Sequence, residues 1–288
     1  MLETILPETI TGPVMGSFVW LIICGCLFAT LQHLSPLNPH QAQVRPDSRI
    51  DLIYWLGAPL LYSGIGGGLT IFGLLVIFGG NVDAAVAWSI AGSGLIRDWP
   101  LWAQALGVLV VTDMSLYWTH RLFHTGRLWR YHAIHHAPTS LDWLHAVRFH
   151  PVNMIFHGLL ANALALWVGF PPAAIAILGP FNILYSCMVH ANLNWTFGPF
   201  RHVFASPIFH RWHHTSAEEG GSKNFAATFA FLDHIFGTFY MPKGLLPHVT
   251  GLTEGDMPTS LVGQLLYPVR ARKVSTESQA KGHPNPVQ

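Results

Sequence analysis

Long uncharged runs dominate the first two thirds of this chain. Val14–Leu31 carries no charge, Leu52–Gly79 continues for 28 residues without one, and Leu101–Trp118 contains only Asp113. Two more runs, Val152–Phe170 and Ala173–Val189, are separated by Phe170-Pro171-Pro172, where proline blocks a continuing helix. A hydrocarbon core takes about 20 mostly apolar residues to cross as a helix. A soluble protein hiding five such helices would need a charged exterior, roughly 25% of residues on average. Here only 10% are charged. The expected fold is all-α, a multi-pass transmembrane helical bundle of about five membrane segments.

The basic residues order these segments, because cytoplasmic loops are enriched in Lys and Arg. The segment before the first run holds Glu3 and Glu8 and no base, whereas loop 32–50 carries Arg45 and Arg49. Loop 80–100 has only Arg97, and loop 119–151 carries Arg121, Arg127, Arg130 and Arg148. Everything after His190 is base-rich. Alternation and charge agree if the C-terminus is cytoplasmic. No cleavable signal peptide is evident. Lys+Arg and Asp+Glu nearly cancel, 15 against 14, which excludes a basic nucleic-acid surface. The three cysteines show no CxxC, so neither a disulfide framework nor a thiolate zinc site is expected.

Against this apolar background stand 18 histidines. Seven fall between residues 120 and 150 and five between 190 and 214, both on the predicted cytoplasmic side. Their spacing is regular: His120-x3-His124, His132-x2-His135-His136 and His210-x2-His213-His214. Residues three and four apart share one face of a helix, so each motif projects its imidazoles together. Ser206 before Pro207 is a helix-start signal for the last of them. A cytoplasmic His-rich helical cap on the bundle follows. Neutral imidazole suits Fe, Zn, Cu and Ni, and eight such nitrogens exceed the four ligands of a closed zinc site and fit two metals better than one. HExxH, GxSxG and P-loop patterns are absent.

These motifs, in this order beside these runs, resemble the fatty acid hydroxylase/sterol desaturase superfamily of integral-membrane, histidine-rich di-iron oxidases. Asp113-x3-Tyr117-Trp118-x-His120-Arg121-x2-His124 is similar to one family run, and Arg148-Phe149-His150-Pro151 to another. Asn224-Phe225 followed by Asp233-His234-Ile235-Phe236-Gly237-Thr238 resembles a third. The resemblance covers about residues 105–241. Ala226, Leu232 and His234 depart from the usual Gly, Trp and Arg, and His190-x3-Asn194 replaces the further H-x3-H of the fatty-acid 2-hydroxylase branch.

The domain expectation is membrane segments at 1–100, a catalytic domain at 101–242 and a partly disordered cytoplasmic tail at 243–288. The metal ligands expected are His120, His124, His132, His135, His136, His190, His210, His213 and His214. Asp113 lies seven residues before His120, about 10 Å along a helix, too far to share its metal. It is expected to orient an imidazole from another helix, with Asn224 and Asp233 in the same service. His145 and His150 are left outside the ligand set, and His33, His40, His157, His202, His248 and His283 default to structural or surface roles.

The resemblance implies two iron ions per chain, O2 as co-substrate, and hydroxylation or desaturation of an unactivated C–H in a membrane lipid, whether sterol, fatty acyl or related. With no haem motif or dinucleotide fingerprint in the sequence, electrons are expected from a separate electron-transfer protein or a reduced pterin. The competing readings are a metal transporter or a zinc hydrolase using the same histidines. Few ionisable groups lie inside the runs, and the His motifs contain no carboxylate. Ala- and Gly-rich runs point to a bacterial inner membrane, with the endoplasmic reticulum as the alternative.

Overall fold

The computed structural model describes residues 8–61, 67–216, 219–247, 249–252 and 256–280. Among them every regular element is helical: α1 Glu8–Leu34, α2 Ser48–Leu61, α3 Gly67–Ile77, α4 Val82–Ala91, α5 Leu101–Phe123, α6 Trp129–His136, α7 Pro151–Val168, α8 Pro172–Ala176, α9 Gly179–His190, α10 Pro207–His213, α11 Phe231–Ile235 and α12 Leu261–Ala280.

Three helical stretches are long and apolar enough to cross a membrane: Gly12–Leu34, Pro151–Val168 and Pro172–His190, the last being α8 with α9. A fourth would be formed if α3 and α4, bent by 113° at their junction, count as one broken span. Of the predicted second run, α2 through Leu61 and α3 from Gly67 are described, and residues 62–66 between them lie outside the described set. The predicted third run falls within α5, which is 23 residues long. Its later half carries Thr112, Asp113, Ser115, Thr119, His120 and Arg121, which lower its hydropathy and turn that half towards the protein interior.

Apolar and polar residues are distributed inside out. Phe18 and Ile22 of α1, Ile71 and Phe72 of α3, and Trp167 of α7 are exposed, whereas His132, His135, His145, His213, Asp51, Asp113 and Asp233 are among the most deeply buried residues. That is the pattern of helices whose outer faces meet lipid.

Local chemistry sets the ends of the helices that matter to the site. Ser206 caps α10, its Oγ accepting from the Phe209 N–H at 3.1 Å, with Pro207 in the first helical position. His150 caps α7 through Nδ1, which accepts from the Val152 N–H at 3.0 Å, ahead of Pro151. Gly169 ends α7 with φ 110°, a left-handed conformation suited to glycine. α5 packs along α7, and α9 lies against both α10 and the Trp143–Val147 turn.

Beneath this bundle is a buried ion-pair network. Asp51 on α2 receives Arg45 Nη2 at 2.6 Å and Arg148 Nε at 2.5 Å, and Arg45 also reaches Asp142 at 2.6 Å. Arg45 and Arg148, counted above among the loop charges that mark the cytoplasmic side, are therefore consumed inside the protein. Burial pushes the Asp51 carboxyl up, but the hydrogen bond and charge of His145 and the charge of Arg148 outweigh it and hold Asp51 below the usual carboxylate range. α12 continues helically through Ala280, in keeping with its Arg, Lys, Glu, Gln and Ala content, while residues 281–288 lie outside the described set.

Candidate metal centre

All nine of the predicted ligand histidines come together, in two groups. His120, His124, His132, His136 and His213 form one, and His135, His190, His210 and His214 the other. Within each group one nitrogen per ring lies within 4.8 Å of every other. The division follows helical spacing. On α6, His132 and His136 share one side while His135 turns away; on α10, His210 and His214 share one side while His213 turns away. The end of α5 supplies His120 and His124, and the end of α9 supplies His190.

The hydrogen bonds decide which nitrogen each ring offers. Nδ1 of His120 donates to the Phe225 carbonyl at 2.8 Å, His213 to Lys223 at 2.8 Å, His190 to Ser186 at 2.7 Å and His135 to Arg148 at 3.2 Å. His132 Nδ1 donates to the Asn153 side-chain oxygen at 2.7 Å. A neutral ring with its proton on Nδ1 presents a bare lone pair at Nε2. Yet His120 and His132 face each other Nε2 to Nε2 at 3.0 Å, and His135 and His190 do so at 3.1 Å.

Neither pair can share a hydrogen bond while both protons are engaged elsewhere, so two lone pairs point at one space. A cation between them resolves that repulsion. Two nitrogens about 3 Å apart subtend roughly a right angle at an ion bound at about 2.0–2.1 Å from each, a workable ligand geometry. Burial, reinforced by neighbouring imidazoles, holds His124, His132, His135, His136, His210, His213 and His214 well below the usual imidazole value; burial brings His120 down to about 4. Neutral rings with free lone pairs are what a metal takes up.

Asp113, Asn224 and Asp233 do not do what was expected of them. Among the described residues none of the three is hydrogen-bonded to an imidazole. Asp113 accepts the backbone N–H groups of Ala227, Thr228 and Phe229 at 3.1, 3.0 and 2.7 Å. Asp233 accepts those of Phe225 and Ala226 at 2.7 and 2.9 Å, together with the Thr238 hydroxyl. Asn224, at φ 58°, bonds the backbone of Phe209 and Tyr240. All three brace the 223–229 segment, and that segment's carbonyls at Lys223 and Phe225 hold His213 and His120. They act one bond further out than a direct partner.

The sequence reading also passed over residues that do touch the rings. Asn153 holds His132, Phe149 stacks on His135 with ring centroids 4.1 Å apart, and His145 Nε2 donates to the His135 carbonyl at 2.5 Å. His145 Nδ1 in turn stands 3.5 Å from Asp51. His157, assigned a structural default, bonds Asn153 and has its ring 6.3 Å from that of His120. The RxHP resemblance was the available signal for Phe149. His150 is a helix cap, and His33, His40 and His202 are exposed. His248 and His283 lie outside the described residues.

A cavity of 680 Å³ opens onto both groups, reaching His120, His132, His135, His157, His190 and His210. Val108, Leu116, Ala161, Ile175 and Leu178 are among its mainly apolar walls.

Residues 105–238, the segment that holds both groups, match the model of the fatty acid hydroxylase family. Over that segment the chain is similar to that family. It is 30% identical over 172 residues to an ornithine lipid hydroxylase of Rhizobium tropici, covering 59% of this chain and 52% of that one. It is 32% identical over 142 residues to an alkylglycerol monooxygenase of Danio rerio (49% and 30% covered), and 27% identical over 158 residues to a methylsterol monooxygenase of Arabidopsis thaliana (54% and 58%). The chain thus spans between 30% and 58% of the length of these relatives. No solved structure matches it.

Proposed function

We propose that this protein is an O2-dependent oxidoreductase that hydroxylates or desaturates an unactivated C–H of a membrane lipid, using two iron ions held by its nine clustered histidines. The observation that carries this reading is the pairing of bare Nε2 lone pairs around two separate spaces at the end of an apolar cavity. The names of its relatives, lipid hydroxylases and monooxygenases, support the same reaction class.

Iron bound there would supply O2 reduction and hydrogen abstraction. The protein's own contribution is threefold. The carbonyls of Phe225, Lys223, Arg148 and Ser186 fix the tautomer and direction of their imidazoles. The cavity walls accept an alkyl chain or ring and keep bulk water from the reacting carbon. His120, His132, His135, His190 and His210 line the cavity, so a guest lying in it presents its carbon to both groups.

Among the described residues each group consists of imidazoles alone, without the carboxylate that a zinc hydrolase would use as general base. In this reading electrons come from a separate electron-transfer protein or a reduced pterin, and the remaining loop charges support a site at the cytoplasmic face, with the composition of the spans supporting a bacterial inner membrane. The test is metal content of the purified protein together with O2 consumption given a reductant and a lipid extract. Iron near two per chain with lipid-dependent O2 use is the expected result. Stoichiometric zinc without oxygen chemistry would overturn the proposal.

A further inference from the structure

The cavity is not uniformly apolar. Thr112 on α5, Asn162 on α7 and Asn182 on α9 all line it. Each comes from a different wall, and each lies two to three turns along its helix from a residue of the imidazole layer or its support. Thr112 precedes His120 by eight residues and Asn182 precedes His190 by eight, about 12 Å along either helix. Asn162 follows Asn153, the partner of His132, by nine residues, about 14 Å. Three polar side chains therefore form a belt some 12–14 Å from the imidazole layer, measured along three helices.

The belt is unengaged. Among the described residues neither the Asn162 nor the Asn182 side chain has a hydrogen-bond partner. Thr112 donates its hydroxyl to the Val108 carbonyl at 2.8 Å, which leaves its oxygen free to accept. The two oxygens of Asp113, beside it, are already filled by three backbone N–H groups. The Asn162 side chain is half-buried and that of Asn182 exposed, so both amides are open to a guest in the cavity. No lysine or arginine lines the cavity, so the belt is not built for phosphate or carboxylate.

We infer that Thr112, Asn162 and Asn182 form a subsite for a neutral hydrogen-bonding group of the lipid substrate, a hydroxyl or an ester or amide carbonyl. The oxidised carbon would then lie at a set distance from that group. The lipid nature of the guest rests on the function proposed above; the subsite itself rests on the belt.

The test measures binding without turnover. The metal-loaded protein in nanodiscs is titrated with 1-hexadecanol, methyl palmitate and hexadecane, following quenching of its tryptophan fluorescence. The wild-type protein is expected to bind the alcohol and the ester roughly tenfold more tightly than the alkane, the worth of one well-made hydrogen bond. Asn162→Leu/Asn182→Leu should lose that preference while keeping the wild-type affinity for hexadecane, which also shows that the cavity is intact. Equal affinity for all three probes in the wild type, no binding of any, or a preference that survives the double substitution would overturn the subsite; the last would mean that the amides serve only to hold water. Failure of the oxidase reading looks different, because the preference would persist in a protein that never consumes O2.

Discussion

Asp113 offers the sharpest test of how the site is held. Its Oδ1 accepts the N–H groups of Ala227 and Thr228, and its Oδ2 that of Phe229 at 2.7 Å. In Asp113→Asn, one oxygen can keep the first two. An NH2 group then faces the Phe229 N–H, donor against donor. One buried N–H loses its acceptor, at a cost of about 1–3 kcal/mol. The disturbance enters the segment whose Phe225 carbonyl holds His120, a member of the five-histidine group only. Loss of such an outer support typically weakens metal binding about 10–100-fold. The four-histidine group has its own supports at Arg148 and Ser186, which Asp113 does not touch.

Graded dialysis against a chelator, with metal quantified by mass spectrometry, should take the variant from two ions towards one per chain while the wild type keeps both. Parallel loss of both ions, or no difference from wild type, would refute the reasoning. Asp113→Ala frees all three N–H groups, about 3–9 kcal/mol by the same measure and comparable to a typical total stability. It should not accumulate as folded protein.

His135→Ala or His213→Ala should abolish lipid-dependent O2 use and lower metal content in a protein that still inserts in the membrane, whereas His40→Ala, at an exposed position, should leave both unchanged. Asp51→Asn removes the carboxylate that Arg45 and Arg148 share, although Arg45 keeps Asp142 and both keep Asp47, and should cost about 1–3 kcal/mol in thermal unfolding. Because the folded protein holds the Asp51 carboxyl below its unfolded value, its stabilisation is complete above about pH 4 and is lost as pH falls below that. Acid unfolding of the wild type should therefore begin there, and Asp51→Asn should flatten that dependence. Gly221→Ala would place a Cβ 1.9 Å from the Thr215 carbonyl oxygen, immediately after His213 and His214. It should destabilise by about 1–3 kcal/mol and reduce metal occupancy, read by the same mass spectrometry.

Much of the site is legible in sequence because histidine spacing is a direct record of helical geometry. Which nine rings would meet could be read from His-x2-His-His on two segments and from His190 at the end of an apolar run. What holds them could not, since Phe225, Lys223, Arg148 and Ser186 act through carbonyls, and a carbonyl has no letter of its own. The acids misled for a related reason: Asp113 and Asp233 look like imidazole partners, but a carboxylate satisfies backbone N–H groups equally well. Arg45 and Arg148 resembled topological markers because loop charge alone does not distinguish an exposed guanidinium from a buried one. The number of spans was obscured by α5, whose polar side lines the interior and whose apolar side does not.

The interleaving of the two histidine groups on α6 and α10 separates two design problems. Both groups draw on the same pair of short helices, so their mutual spacing is written into a single turn of backbone rather than into the docking of distant parts. The chamber beside them is walled by other helices, whose side chains can be exchanged without stretching or compressing that spacing. A protein organised in this way can change its guest while its reactive hardware stays as it was.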